Sequence, residues 1–172
     1  MKLLKTIRDT DLMIDSLVPT VFEERKAARA VVFDESNNVA LLNVTAKHFH
    51  KLPGGGIEQG EDIEMALRRE VLEEIGCAIE NIRDLGIIEE YRNREALYQA
   101  SYCFVADLVH EKGIPQLEDG EKADGFEPEW MSLEEAIETL QNELSVEDYE
   151  GKFIVLRDLT FLKEVSQVVY VN

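Results

Sequence analysis

Glu70, Glu73 and Glu74 carry the most chemistry in their spacing, in the run Arg-Arg-Glu-Val-Leu-Glu-Glu-Ile-Gly at 68–76. At about 100° per residue, positions i, i+3 and i+4 share one helix face. Three carboxylates would then stand on adjacent turns. Like charges at that spacing cost about 0.2–0.5 kcal/mol per pair, a cost that a cation between them would offset. Clustered hard oxygen donors suit Mg²⁺ or Mn²⁺. Just upstream, Pro53-Gly54-Gly55-Gly56 can bend sharply and bring backbone close to a ligand. The helix N-terminus that follows favours anions. A solvated acidic helix face is the plain alternative for the glutamates alone, and the adjoining glycine loop tells against it.

Gly55, Glu61, Arg69, Glu70, Val71, Glu73, Glu74 and Gly76 fall on a fixed pattern: Gly, five residues, Glu, seven residues, Arg-Glu-hydrophobic-any-Glu-Glu-any-Gly-hydrophobic. The segment resembles the Nudix box. Its last position is Cys77, where the family usually has Ile, Leu or Val; a buried Cys is itself a small hydrophobe. Seven identities at roughly 7% each coincide by chance on the order of once in 10⁸ starting positions. Weaker likeness extends from the segment 27–44 to Glu127–Ala136.

This resemblance implies an α/β/α sandwich around a mixed β-sheet, and metal-dependent hydrolysis of a nucleoside diphosphate linked to another group. It implies metal binding at Glu70, Glu73, Glu74 and the Gly55 carbonyl, with Arg69 orienting the carboxylates, and Glu61 and Gly76 supporting the site. Glu73, Glu74 and Arg69 are thereby catalytic candidates. The general base is either a box glutamate or an acid of the later loop, where Glu118, Glu121, Asp124 and Glu127 are available; Asp124 and Glu127 lie nearest the Trp130 segment. Arg92 and Arg94 are candidate substrate contacts, since cations just past a strand can meet a phosphate. His48 and His50 are expected on one side of a strand, and Trp130 as a core or rim aromatic. A nucleoside triphosphate, including oxidised forms, is the favoured substrate. ADP-ribose, nucleotide sugars and dinucleoside polyphosphates stay open, as do a nucleotide sensor and an isopentenyl-diphosphate-isomerase-like activity. No proline stands at Arg92–Glu95, where ADP-ribose hydrolases of the family usually have one, and Tyr91 and Tyr98 lie off the spacing of the dinucleoside-polyphosphate enzymes. The intact glutamates favour hydrolysis over sensing.

The elements that must position these residues can be read from the same sequence. Ala27–Phe33 and Val39–Val44 read as a hairpin, Asp62–Ile75 as a helix stopped by Gly76, and Cys77–Tyr91 and Leu97–Val109 as strands. Residues 110–127 read as an acidic loop and Glu129–Met131 as a short strand. Ser132–Asn142 reads as a helix with a Ser132/Glu135 capping box, and Gly151–Val165 as a final amphipathic helix. Leu67, Val71, Ile75 and Leu72 are expected to anchor the metal-site helix. Residues 1–26 are expected to form an appendage packed on a domain at 27–172. The apolar tail from Val165 is expected to pack on its own domain or on a second copy, making a homodimer.

Composition narrows the partners. Of 172 residues, 36 are acidic and 18 basic, a formal net charge of −18, which repels nucleic-acid polymers and anionic lipid. A small anionic substrate would need a divalent cation as mediator. No apolar run suits a signal peptide or a membrane span. Cys77 and Cys103 match no zinc spacing and read as buried thiols, so a cytoplasmic chain is expected.

Overall fold

The computed structural model describes residues 1–169. Apolar side chains at alternating strand positions divide between the two faces of one seven-stranded sheet, because successive strand residues point to opposite sides. The chain runs through β1 (Leu3–Arg8), a 3₁₀ turn (Asp9–Leu12), β2 (Glu23–Phe33), β3 (Asn38–Val44), β4 (Phe49–Lys51) and α1 (Ile63–Ile75). It continues through β5 (Ala78–Arg92), β6 (Leu97–Val109), α2 (Asp119–Asp124), β7 (Phe126–Ser132), α3 (Leu133–Asn142) and α4 (Tyr149–Val169). The sheet order is β1-β5-β6-β2-β3-β4, and β7 pairs with β3. β1 with β5 and β2 with β6 are parallel pairs; the others are antiparallel.

One face packs on α1. Ala28, Ala30 and Val32 of β2 and Ala40 and Leu42 of β3 meet Ala66, Leu67, Val71 and Ile75. The other face packs on α3 and α4, with Val31, Leu41, Ile88 and Cys103 against Leu133, Leu140, Phe153, Leu159 and Leu162. The result is the expected α/β/α sandwich around a mixed sheet. Asp62 caps α1 by accepting the Met65 N–H at 2.8 Å. Gly76 ends it at φ +68°, a left-handed conformation that suits glycine. Ser132 and Glu135 form the expected capping box on α3.

Four local expectations are corrected. Leu72 is about half exposed and anchors nothing, because it lies off the stripe Leu67-Val71-Ile75. Residues 3–8 extend the sheet as an edge strand on β5, and β2 already begins at Glu23, so the first 26 residues are not merely laid against the domain. The 110–127 segment contains a six-residue helix, α2. His48 sits in a turn at φ +59°, so it shares no strand side with His50. Val165 is buried in the α4 core, while the expected apolar tail beyond 169 lies outside the described residues.

Candidate active site

The glycine loop is fixed by the free edge of β2. β3 pairs with β2 only at Phe33–Val39, and with β4 further along at Leu42–Val44. Beside β2 the loop takes the place of a strand. Ala28 N–H donates to Gly55 O at 2.9 Å, Ala30 N–H to Pro53 O at 3.0 Å, and Ile57 N–H to Lys26 O at 3.0 Å. A methyl group at Gly55 would fall on the Glu70 carboxylate, and one at Gly54 on the Ala28 carbonyl and Arg29 Cα. The absence of side chains at both positions is therefore a steric requirement of the site.

Arg69 organises the acids of α1. Its guanidinium donates to Glu61 at 2.8 and 3.0 Å, Glu70 at 2.8 Å, Glu73 at 3.1 Å and the Gly56 carbonyl at 3.1 Å. The hydrogen bond from Arg69 holds the Glu61 carboxyl down to about 2. Glu74 is buried; it accepts from Lys51 Nζ at 2.6 Å and from Gly54 N–H at 2.5 Å. Burial pushes the Glu70 and Glu74 carboxyls above the usual range, against the pull of Arg69 on the first and of Lys51 on the second. Such carboxylates gain most from a cation brought to them.

Glu70, Glu74 and Glu121 of α2 bring one ligand atom each within 4.8 Å of one another. The donor set is all oxygen, as Mg²⁺ or Mn²⁺ requires. The Gly55 carbonyl, though it accepts from Ala28, keeps a second lone pair, and the space that a Cβ would fill lies against Glu70. These residues fit a divalent ion. Glu73 faces an adjoining cavity of about 260 Å³, which it shares with Arg25, Arg69, Glu70, Glu118 and Glu121.

A second cavity, about 220 Å³, is lined by Gly54 and Gly55, by the acids Glu70, Glu74, Glu118, Glu121, Asp124 and Glu150, and by the bases Arg25, Arg29, Lys47, Lys51, Arg92 and Arg157. Arg157 is held by Asp158 at 2.7 and 3.0 Å and by Glu90 at 3.4 Å. Arg92 donates to Glu90 and to Glu150, both at 3.2 Å. Burial opposes ionisation of Glu90, but Arg157 and Arg92 outweigh it and keep its carboxyl below the usual range. Burial, reinforced by the charge of Arg157, brings the Arg29 guanidinium down to about 10.

The other sequence candidates separate. Asp124 lines the cavity and pairs with Lys47 at 2.9 Å. Glu127 sits opposite Asn43 in the β3–β7 ladder and does not line the cavity. Arg92 reaches the cavity, whereas Arg94 stacks over Tyr149 outside it, at 5.0 Å. His50 is bound to Glu143 at 2.6 Å and lies 3.5 Å from Glu129, away from the carboxylate cluster. Trp130 packs on the α1-side core, with Lys112 4.1 Å from its ring centroid. Both cysteines are free and buried. Sequence reading missed Arg25, Arg29, Lys47, Lys51 and Arg157. The available signal was Arg29 itself, a charge inside the apolar strand Ala-Ala-Arg-Ala-Val-Val-Phe.

Comparison with known proteins agrees with this geometry. The NUDIX domain family pattern matches residues 23–152. Mouse diphosphoinositol polyphosphate phosphohydrolase 3-alpha is 31% identical over 122 residues, covering 68% of this chain and 70% of the relative. The human 3-beta protein is 30% identical over the same shares. A NUDIX hydrolase from Nitrosomonas europaea superposes with a TM-score of 0.65 at 18% identity, covering 84% of this chain and 90% of the other. A MutT NUDIX hydrolase from Burkholderia pseudomallei gives 0.53 at 20% identity, over 65% and 85%. With Gly55, Glu70 and Glu74 of the box lining one cavity and the family pattern running from β2 into α4, the chain belongs to the NUDIX family, as a Nudix-type pyrophosphohydrolase.

Proposed function

We propose that this protein cleaves a phosphoanhydride bond in a small, multiply phosphorylated compound, a nucleoside triphosphate first among them, with Mg²⁺ or Mn²⁺ held by Glu70, Glu73, Glu74 and the Gly55 carbonyl. The observation that carries this reading is one cavity lined by both kinds of charge: carboxylate oxygens of Glu70, Glu74 and Glu121 within 4.8 Å of one another, and six basic side chains, some paired with the cavity's own acids. In a chain of net charge −18, those basic side chains are where an anionic substrate finds attraction.

When bound, a divalent ion neutralises diphosphate oxygens and the charge that develops on them. Arg69 keeps Glu70 and Glu73 in place for this task through its hydrogen bonds. The basic side chains of the cavity orient the phosphoryl oxygens by charge-assisted hydrogen bonds. Water attack on phosphorus releases a proton, and Glu121 is the acceptor that the geometry favours, since it lines the cavity beside Glu70 and Glu74. Asp124 is partly occupied by Lys47, and Glu127 lies off the cavity.

The relatives' name supports a second reading, a diphosphorylated inositol polyphosphate. It agrees with a cavity whose aromatic lining, among the described residues, is only Phe49 and Phe126, the latter covered by Lys51 Nζ 4.4 Å from its ring centroid. A panel of nucleoside triphosphates, nucleotide sugars, dinucleoside polyphosphates and diphosphoinositol polyphosphates, read by phosphate or monophosphate release, decides between them. Excess chelator should abolish turnover and Mg²⁺ restore it; full activity in chelator would refute the metal assignment.

A further inference from the structure

Behind the carboxylate cluster, on the α4 side of the sheet, three guanidinium groups enter the same end of the cavity. Arg29 comes from β2, Arg92 from the end of β5 and Arg157 from α4. All three are more than nine-tenths buried. Arg157 is fully engaged with Asp158 and Glu90. Arg29 is not: its Nε and Nη1 are buried without a hydrogen-bond partner, and so is Nε of Arg92. Glu90 and Asp158 pair with Arg92 and Arg157, and Glu150 and Glu95 also reach Arg92, whereas among the described residues none forms an ion pair with Arg29. An unpaired buried cation is costly to a fold. It persists where a ligand supplies the missing acceptors.

We propose that Arg29 and Arg92, backed by the charge of Arg157, form an inner subsite for a phosphoryl group of the substrate, distinct from the diphosphate held at the carboxylate cluster. A phosphoryl group offers several acceptor oxygens and up to two negative charges, matching forked guanidinium donors. The inference rests on the hydrolase reading above and deepens it. The preferred substrate carries at least one phosphoryl group beyond the pair flanking the bond that is cut. A compound with a bare diphosphate leaves these donors unpaired and is turned over less efficiently.

The test uses the full chain at fixed Mg²⁺, with inorganic phosphate as probe and a nucleoside 5′-triphosphate and 5′-diphosphate of one base as substrates. Phosphate at a hundredfold excess over its Kd should raise the wild-type Tm by about 5–11 °C. Arg29→Met should lose that rise, and its Tm without phosphate should equal or exceed that of wild type, because an unpaired buried charge has been removed. Arg29→Lys should recover part of the response. The triphosphate-over-diphosphate preference in kcat/KM should fall about 10- to 100-fold in Arg29→Met, mostly through KM. The same phosphate response in Arg29→Met as in wild type, or an unchanged preference, would overturn the subsite. If that variant does not fold, wild type alone decides: a preference above about tenfold supports the subsite, and a ratio near one overturns it. The two proposals fail separately. Turnover of no phosphoanhydride in the panel removes the hydrolase reading, whereas turnover without phosphate discrimination removes only the subsite.

Discussion

Lys51 and Glu74 show how a single buried pair serves both the fold and the site. Glu74 is all but inaccessible and meets Lys51 Nζ at 2.6 Å. Removing one partner of such a pair strands the other charge, at about 3–5 kcal/mol. Lys51→Met should therefore lower the metal-free Tm by about 10 °C, and Mg²⁺ should recover more of the loss in the variant than it adds to wild type; scanning calorimetry with and without the ion reads both. Equal metal responses would show that Glu74 does not depend on Lys51. The acids of the later segment are separated the same way. Glu121→Gln should lower kcat about 100-fold, and Glu127→Gln should leave it near wild type, since Glu127 lies in the β3–β7 ladder and off the cavity. Steady-state kinetics at saturating Mg²⁺ measures both, and equal effects would return the base to the box glutamates.

Among the elements, β4 is tied to α3 and β7 through one imidazole. His50 donates its backbone N–H to Glu143 at 2.8 Å and meets the same carboxylate with Nδ1 at 2.6 Å. Burial alone would lower its pKa, but the hydrogen bond to Glu143 and the charges of Glu143 and Glu129 outweigh burial and raise it above the ordinary 6.5. A folded-state value above the unfolded one gives stability that is complete below about pH 6.5 and is lost as pH rises through the raised value. His50→Gln should flatten this part of the Tm–pH profile; an unchanged slope above pH 6.5 would refute the coupling. Legibility in the sequence follows element by element. The box was legible because Gly55 through Gly76 form one loop and one helix, where spacing alone fixes the face and the caps. The strands were legible where a run rich in apolar and aromatic residues was bounded by polar or glycine-containing segments, as in Leu97–Val109. Of the basic lining only Arg92 was legible. Arg25, Lys47 and Arg157 come from segments far apart in sequence, and sheet pairing over long separations brings them together. Glu121 was among the four candidate acids of the later segment but not the favoured one, because its approach to Glu70 depends on α2, a helix too short to announce itself by periodicity.

For the whole molecule, the N-terminal strand is part of the structure and not an accessory. Ile7 is fully buried in the α4-side core, and Leu4 lies over Gly86 of β5. Ile7→Ala should cost about 2–4 kcal/mol, or a Tm lower by about 4–16 °C; a change under 2 °C would mean that β1 is dispensable. The pairing of β1 with β5 and the central parallel pairing of β2 with β6 also bear on how the chain reaches this state. Glu23 finds its partner at Leu97 and Phe33 at Asp107, so the middle of the sheet cannot close until the chain past Asp107 has left the ribosome. The β5–β6 hairpin, local and antiparallel along nearly its whole length, is the piece able to form first. β2 then waits as an open edge whose first four residues, Glu23-Glu24-Arg25-Lys26, are all charged, and charge on a waiting edge discourages pairing with a neighbouring nascent chain.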